Sequence, residues 1–215
     1  MPDFSSPHPK GLVLASGSRF RRDMLQRAGL SFTVDPADID ERGLSAALER
    51  ETPEIRAETV ARALAVAKAR SVAPRHPGKR IIGSDQILAL PAQNPGAKDK
   101  IFAKPKDLSE ARAHIAQLQG RTHYLHTAAA VVENESILWQ TVKTAALTMR
   151  PLSDAEIDAY IARAGSGVCD TVGAYMLEGL GVQLFERIEG DNFTIIGLPL
   201  LELLAALRDL GEVSL

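Results

Sequence analysis

The stretch "SGSRFRR", residues 16–22, combines residue types that bind anions. It follows a short apolar run and precedes helical spacing, so it should join a strand to a helix N-terminus. Free backbone N–H groups and the helix dipole attract negative charge at such a turn. Ser16 and Ser18 add hydroxyls, and Arg21 adds a planar cationic fork suited to phosphate. A capped helix with solvated arginines would show the same pattern, so both interpretations stay open at this point.

A carboxylate interrupts the most apolar strand pattern of the chain. Asp85 stands in "RIIGSDQILAL", where we expect the strand to be interrupted at Gly83 and Ser84 and the acid to mark the end of a buried strand. A carboxylate in such a place is costly unless it is paired or binds a metal ion. Asp85 is therefore the acid for which the sequence most favours a function.

Four further features are ambiguous when taken one at a time. The acidic segment "DIDE", residues 38–41, lies in a predicted loop and could hold Mg²⁺ or Mn²⁺. Lys68 lies beside the apolar face of a helix predicted over 54–72, where it could snorkel to solvent or enter a cleft. Lys104 precedes a proline and should be extended. Glu178 is either a surface carboxylate or an acceptor for a guanine-like base edge.

The order of elements predicts the fold class. Strands and helices alternate first and a strand pair turning at Asn134 follows, which indicates an α/β protein with a mixed sheet. Residues 1–10 read as a frayed tail, and 11–211 as a single domain. The linker-like stretch 91–100 is too short to divide it.

Composition excludes several classes of protein. The net charge of −2 over 215 residues gives no general attraction to nucleic acid. The single cysteine, Cys169, cannot form an intramolecular disulfide, which suits a reducing cytoplasm. The N-terminal residues lack the order of a signal peptide, and no apolar run reaches ~18 residues. We therefore expect a cytoplasmic protein without membrane or nucleic-acid partners.

Taken together, the motifs resemble the Maf family of nucleoside triphosphate pyrophosphatases. They are, in the family's order, "LASGSRFRR", "DIDE", "ALAVAKA", "IIGSDQIL", "AKP", "GAYMLEG" and "IEGDNFTIIGLPL". The ordered set covers about residues 11 to 208. The resemblance implies an elongated fold of two lobes around a deep central cleft, related to the inosine-triphosphatase group. It also implies cleavage of a nucleoside triphosphate to the monophosphate and pyrophosphate, a divalent metal (Mg²⁺ or Mn²⁺) and a homodimer.

The resemblance also assigns roles to particular residues. The family's functional positions correspond to Ser16, Ser18, Arg21, Lys68, Asp85 and Lys104. Ser16, Ser18 and Arg21 would bind phosphate, and Arg21, Lys68, Asp85 and Lys104 would be catalytic. Glu41 matches the acidic position before the long helix and would join Asp85 in holding the metal. Asp85 could instead be the general base, and the sequence does not separate these two roles.

One departure from the common family pattern concerns the base of the substrate. Arg19 replaces the usual proline, and Phe20 replaces an arginine. Phe20, Gln86 and Glu178 together resemble the branch that acts on 7-methyl-GTP, whereas the arginine branch acts on dTTP and UTP. An aromatic ring and a carboxylate suit a cationic purine. The alternatives are a pyrophosphatase of broad specificity and a non-catalytic nucleotide-binding regulator of cell division.

Overall fold

The computed structural model describes residues 9–52, 55–94 and 96–214. Most of the predicted tail, residues 1–8, lies outside the described residues. Within them the strands are β1 (Leu12–Leu14), β2 (Phe32–Val34), β3 (Arg80–Leu90), β4 (Lys100–Phe102), β5 (Thr122–Glu133), β6 (Ser136–Met149) and β7 (Phe185–Glu189). The α-helices are α1 (Arg19–Arg27), α2 (Glu41–Glu51), α3 (Ala57–Val72), α4 (Leu108–Leu118), α5 (Asp154–Ala164), α6 (Asn192–Ile196) and α7 (Leu200–Asp209).

The strands form one mixed sheet in the order β2-β1-β3-β5-β6-β7, with β4 also paired to β3. Strand β1 is parallel to both of its neighbours, with Leu12 opposite Phe32 on one side and Arg80 on the other. Antiparallel pairing joins β4 to β3 and β7 to β6. The predicted α/β class with a mixed sheet is confirmed.

Two compact units divide the chain, and the division falls within β3, β5 and β6. The first unit, unit 1, contains the described residues up to Asp85, Thr127–Lys143 and the chain from Gly197 onward. Its core includes small and β-branched side chains from β3, β5, β1 and α3 and from the residues directly after β1 and α3, namely Val13, Ala15, Ala69, Val72, Ala73, Ile81 and Val132. The small residues let the helix and the strands approach closely.

Unit 1 also contains a buried ion pair at the start of β1 and β3. Arg80 Nη1 donates to Glu212 Oε1 at 2.7 Å, and these side chains are only 8% and 1% exposed. The Glu212 carboxylate also accepts the backbone N–H groups of Lys10 (2.9 Å) and Gly11 (3.2 Å). The segment after α7 is thereby fastened to the beginning of the sheet.

The second unit, unit 2, contains Gln86–His126 and Thr144–Ile196. Its core is richer in large apolar and aromatic side chains, among them Leu88, Phe102, Ile115, Leu147, Ile157 and Tyr160. His123 is fully buried, and its Nε2 lies 2.7 Å from the hydroxyl of Tyr175. Burial lowers the pKa of His123 to about 4, so the ring is neutral at physiological pH.

Serine side chains cap the N-termini of two helices. Ser18 caps α1, and Ser153 forms a capping box with Glu156 at the start of α5. Asn134 adopts a positive φ of 53° in the turn between β5 and β6, where a strand pair was expected to reverse.

Three local expectations were wrong. Glu41 does not lie in a loop but begins α2, because the side chain of Asp40 caps that helix by accepting from Gly43 N at 2.9 Å. Strand β3 runs unbroken from Arg80 to Leu90, so Asp85 stands in its middle rather than at its end. The helix predicted over 54–72 begins at Ala57, because Ile55 and Arg56 are not helical, and Glu54 lies outside the described residues.

Among the residues that the structure describes, no helix is both long and apolar enough to cross a membrane.

Candidate functional site

The turn after β1 brings two serine hydroxyls and an arginine into contact. Ser16 Oγ accepts from the backbone N–H of Ser18 at 3.3 Å and from Nη1 of Arg21 at 3.2 Å. Ser18 Oγ accepts from the backbone N–H of Arg21 at 3.5 Å. Because the hydroxyls and the first N–H groups of α1 share this turn, it has the donors that an anion needs.

Arg21 is held from a distant part of the chain. Its Nε donates to the carbonyl oxygen of Gly197 at 2.7 Å, across a sequence separation of 176 residues. Burial lowers the pKa of Arg21, while the carboxylates of Asp85 and Glu41 act in the opposite direction. The guanidinium stays protonated because its ordinary pKa lies far above neutrality. Arg21 is therefore an oriented cation close to two acids.

The middle of β3 presents Asp85 as a buried acid. The residue is only 7% exposed, and its Oδ1 accepts from Nζ of Lys68 at 2.6 Å. Burial raises the pKa of Asp85, and the charges of Lys68 and then Arg21 oppose that rise. The preceding Ser84 is fully buried, with Oγ 2.8 Å from the carbonyl oxygen of Ala128 and 3.2 Å from that of Gly197. The strand is thus anchored where the acid projects.

Lys68 reaches Asp85 because α3 lies unusually close to β3. A Cβ at Gly83 would stand 2.1 Å from the carbonyl oxygen of Ala65 and 2.9 Å from Cβ of Ala69. Only glycine leaves room for the helix at this distance. The Lys68 side chain is 11% exposed, so the ammonium is directed into the site rather than to solvent.

Glu41 completes the group from the start of α2. Its Oε1 lies 2.9 Å from Nζ of Lys68, so one ammonium contacts the carboxylates of both Glu41 and Asp85. The Glu41 side chain is 51% exposed, whereas that of Asp85 is 9% exposed. One carboxylate of the pair is thus open to solvent and the other is enclosed. We call Arg21, Glu41, Lys68 and Asp85 the charged cluster.

The structure therefore brings six of the predicted site residues into unit 1: Ser16, Ser18, Arg21, Glu41, Lys68 and Asp85. Phe20 belongs to the same unit and is half-buried, with the guanidinium carbon of Arg19 4.7 Å from its ring centre. The remaining three predicted residues, Gln86, Lys104 and Glu178, belong to unit 2.

In unit 2, Gln86 is the most constrained of these three side chains. Its Nε2 donates to the carbonyl oxygens of Thr194 and Ile195, both at 3.1 Å. Lys104 is exposed after β4. Glu178 is exposed in a tight loop, where Gly181 approaches the Met176 backbone so closely that a Cβ would stand 2.5 Å from its carbonyl oxygen.

Sequence reasoning did not single out Ser84 or Gly197 as parts of the site. Both lie within the family motifs, but a serine in an apolar strand and a glycine before a proline-containing turn are common. The signal that could have found Ser84 is its position directly before the one buried acid of β3.

A family model described as "Maf-like protein" matches residues 11–210. The chain belongs to the Maf family. A 7-methyl-GTP pyrophosphatase of Rhizobium etli is 48% identical over 203 residues, which are 94% of this chain and 98% of that protein. The resemblance inferred from the ordered motifs is thus confirmed.

Maf relatives with a broader name are equally similar. A nucleoside triphosphate pyrophosphatase of Bradyrhizobium diazoefficiens is 47% identical over 197 residues, 92% of each chain. A solved nucleoside-triphosphatase (dITP/XTP pyrophosphatase) from Mycobacterium abscessus is 20% identical, with a TM-score of 0.38 over 71% of this chain and 94% of its own. Overall sequence identity therefore does not distinguish relatives named for 7-methyl-GTP from relatives named for nucleoside triphosphates in general. The substrate has to be inferred from individual residues.

Proposed function

We propose that this chain hydrolyses 7-methyl-GTP to 7-methyl-GMP and pyrophosphate. The chain is a nucleoside triphosphate pyrophosphatase of the Maf family. Relatives at 47–48% identity carry the names of this class of hydrolase. The observation that carries the proposal is the Lys68 ammonium in contact with Asp85 and Glu41 beside the serine–arginine turn. A protein that only bound the nucleotide would gain nothing from a buried carboxylate there, since it repels phosphates.

The charged cluster and the turn can bind the phosphates in different ways. The turn supplies hydroxyls and backbone N–H groups, and Arg21 and Lys68 supply positive charge. Within the cluster these two cations are offset by the two carboxylates, so its formal charge is zero. A triphosphate carrying about four negative charges therefore needs further positive charge before a nucleophile can approach. Lys104 is the predicted additional cation from unit 2.

The two carboxylates fit a divalent metal ion. Glu41 and Asp85 approach the same ammonium to 2.9 Å and 2.6 Å, so both present oxygen to one small region. No group of three or more metal-binding side chains occurs among the described residues. Mg²⁺ and Mn²⁺ suit such a pair because they complete their coordination with phosphate oxygens and water. When bound, such an ion would neutralise phosphate charge and acidify a coordinated water.

The reaction forms a bond between a water oxygen and the α-phosphorus and breaks the bond from that phosphorus to the α–β bridging oxygen. Asp85 acts either by accepting the proton of the water or by holding the metal. Burial favours the first role by making the carboxylate more basic. Contact with Lys68 and proximity to Glu41 suit the second.

An Asp85→Asn variant tests this part of the proposal. We expect kcat to fall by about 100-fold or more, with Asp209→Asn, at an exposed aspartate of α7, as a control of unchanged activity. Titration of Mn²⁺ by calorimetry then separates the roles, because loss of a metal ligand weakens Mn²⁺ binding and loss of a base does not. Near-normal turnover in Asp85→Asn would remove this residue from the chemistry.

The base preference is proposed to depend on Phe20, Gln86 and Glu178. A 7-methylguanine base is cationic, so an aromatic face attracts it by about 1–2 kcal/mol when water is excluded. A carboxylate accepts the N1–H and exocyclic N–H groups of guanine and opposes the positive charge of the ring. Gln86 is oriented for a specific contact, since two carbonyl oxygens fix its amide nitrogen.

A substrate panel tests the preference, with pyrophosphate release measured for 7-methyl-GTP, GTP, dTTP and UTP in Mg²⁺ and in Mn²⁺. We expect 7-methyl-GTP to have the highest kcat/KM. Combining Phe20→Arg with Glu178→Gln should shift the ranking of substrates towards the pyrimidine nucleotides. The control combines Phe20→Arg with Glu186→Gln, a change at an exposed residue of β7. It should show only the smaller shift that Phe20→Arg causes by itself. An unchanged ranking in the first double variant would refute the assignment of the base.

Broad specificity is the second candidate, and the equal similarity to the Bradyrhizobium diazoefficiens enzyme favours it. The same panel decides, because a broad enzyme would release pyrophosphate from several of the four nucleotides at similar kcat/KM. The homodimer and the cytoplasmic location that were expected from the sequence stay predictions.

A further inference from the structure

Residues 35–40, which we call the connecting segment, lead from β2 to Glu41 at the start of α2. They form neither helix nor strand. None of the residues of α2 is buried, so packing into a core does not fix the place of that helix. The position of Glu41 therefore depends on how the connecting segment is held.

Backbone and apolar contacts hold the first three residues of the connecting segment. The N–H of Asp35 donates to the carbonyl oxygen of Leu14 at 3.1 Å. Pro36 lies beside the serine–arginine turn, since a Cβ added at Gly17 would stand 3.9 Å from its ring. Ala37 packs against the core of unit 1. The connecting segment therefore runs along the proposed phosphate-binding turn.

The side chain of Asp35 contacts three nitrogen atoms. Nε and Nη2 of Arg75 donate to its Oδ2 and Oδ1 at 2.8 Å and 2.9 Å, which is a bidentate contact. Nε2 of His76 lies 2.8 Å from Oδ2. The hydrogen bonds from Arg75 and then from His76 lower the pKa of Asp35 to about 2, so the carboxylate is charged at neutral pH. Exposed ion pairs usually contribute little to stability, but a bidentate arginine contact also fixes orientation.

Both partners of Asp35 follow the helix that carries Lys68. Arg75 lies in a 3₁₀ turn directly after α3, and His76 comes next. Glu41 contacts the same helix through Nζ of Lys68. The connecting segment is therefore attached to the end of α3, and the residue that follows the segment is attached to the side chain of Lys68. All of these residues belong to unit 1.

We propose that Asp35 is a positioning residue for Glu41. Its contact with Arg75 and His76 holds the connecting segment in place, and Glu41 is thereby directed to the divalent metal ion that it would share with Asp85. The inference rests on the proposed function, because it requires Glu41 to bind the metal. Removal of groups that orient metal ligands typically weakens metal binding by about 10–100-fold.

Calorimetric titration of Mn²⁺ into the full chain tests the inference. Asp35→Asn keeps the size of the side chain but replaces one acceptor oxygen by an NH₂ group, so the bidentate contact cannot form. We expect the Mn²⁺ dissociation constant to rise by about tenfold. Arg75→Lys also removes the bidentate contact but keeps the net charge, and it should raise the constant as well. A rise in Asp35→Asn alone would be an effect of charge and would overturn the inference, as would unchanged constants in both variants.

The matched control is Asp158→Asn in unit 2, because Asp158 likewise pairs with an arginine of another helix, accepting from Nε of Arg112 at 2.6 Å. Its Mn²⁺ binding should be that of the wild type. Pyrophosphate release then distinguishes positioning from a general loss of structure. We expect Asp35→Asn to need about tenfold more Mn²⁺ for half-maximal activity and to recover wild-type kcat at saturating Mn²⁺. A low kcat that excess Mn²⁺ does not restore would overturn the inference.

Glu41→Gln separates this inference from the proposed function. If Glu41 binds the metal, Glu41→Gln weakens Mn²⁺ binding, and adding Asp35→Asn should weaken it no further. Full additivity of the two changes would show that Asp35 does not act through Glu41, and would overturn the inference without affecting the proposed function. Unchanged Mn²⁺ binding in Glu41→Gln would remove Glu41 from the metal site and the role of Asp35 with it, whereas hydrolysis itself is tested by Asp85→Asn and the substrate panel.

Discussion

The close approach of helix α3 to strand β3 at Gly83 allows a specific prediction. In a Gly83→Ala variant the added Cβ would meet the carbonyl oxygen of Ala65 at 2.1 Å, and real contacts of this kind do not fall below 3.0 Å. Helix α3 and strand β3 must therefore separate by roughly 1 Å. Lys68 lies on α3 between Ala65 and Ala69, so its 2.6 Å contact with Asp85 lengthens towards the limit of a hydrogen bond.

The magnitude follows from two separate effects. Overpacking of this kind costs about 1–3 kcal/mol of unfolding free energy, which a domain of ordinary stability survives. A displacement of about 1 Å in a catalytic group costs on the order of 100-fold in rate. We therefore expect Gly83→Ala to remain folded at room temperature and to lose about two decades of kcat/KM.

The assay is pyrophosphate release at several substrate concentrations, normalised to the folded fraction from urea unfolding. Gly167→Ala is the matched control, because a Cβ there meets nothing nearer than the Met176 methyl at 3.8 Å, and it should retain full activity. If Gly83→Ala keeps wild-type kcat/KM, or loses activity only in proportion to its unfolded fraction, then the close approach does not position Lys68.

Two further predictions concern stability. His123 is buried as the neutral ring with a pKa of about 4, so the unfolded chain binds more protons than the folded chain below about pH 6.5. This difference should lower the unfolding free energy by about 3 kcal/mol between pH 7 and pH 4. In urea titrations, the unfolding free energy of His123→Gln should depend less steeply on pH over this range. Glu212→Gln removes the nearer counter-charge of the buried Arg80 and leaves the Glu133 carboxylate, whose Oε2 lies 3.7 Å from Nε of Arg80. We expect a loss of about 2 kcal/mol by chemical denaturation, whereas Glu189→Gln on the exposed face of β7 should change stability by less than about 0.5 kcal/mol. Equal losses would show that the buried pair between Arg80 and Glu212 does not stabilise the fold more than an exposed pair.

The parts of the site that sequence alone predicted share one property, which is chemical contrast with their neighbours. Asp85 stands out because a carboxylate in an apolar strand has few structural explanations. Ser18 was identified as a helix cap because capping depends on residues close in sequence.

What was missed depends on contacts that no local pattern contains. Helix α2 has no buried residue, and its apolar stripe is short, with Leu44 and Leu48 as the only large members, so Glu41 was placed in a loop instead of at a helix start. The role of Gly83 arises only when α3 lies against β3.

The bond from Arg21 to the carbonyl oxygen of Gly197 has a consequence for biosynthesis. It joins the first anion-binding turn to a residue made 176 positions later, and Ser84 lies within hydrogen-bonding distance of that same oxygen. During translation β1, α1 and β3 can emerge and begin to pair, but Arg21 stays without this acceptor until nearly the whole chain has left the ribosome. The anion-binding turn is therefore completed late in synthesis. A nascent chain lacks the contact that orients Arg21, and we expect it not to hydrolyse nucleotides.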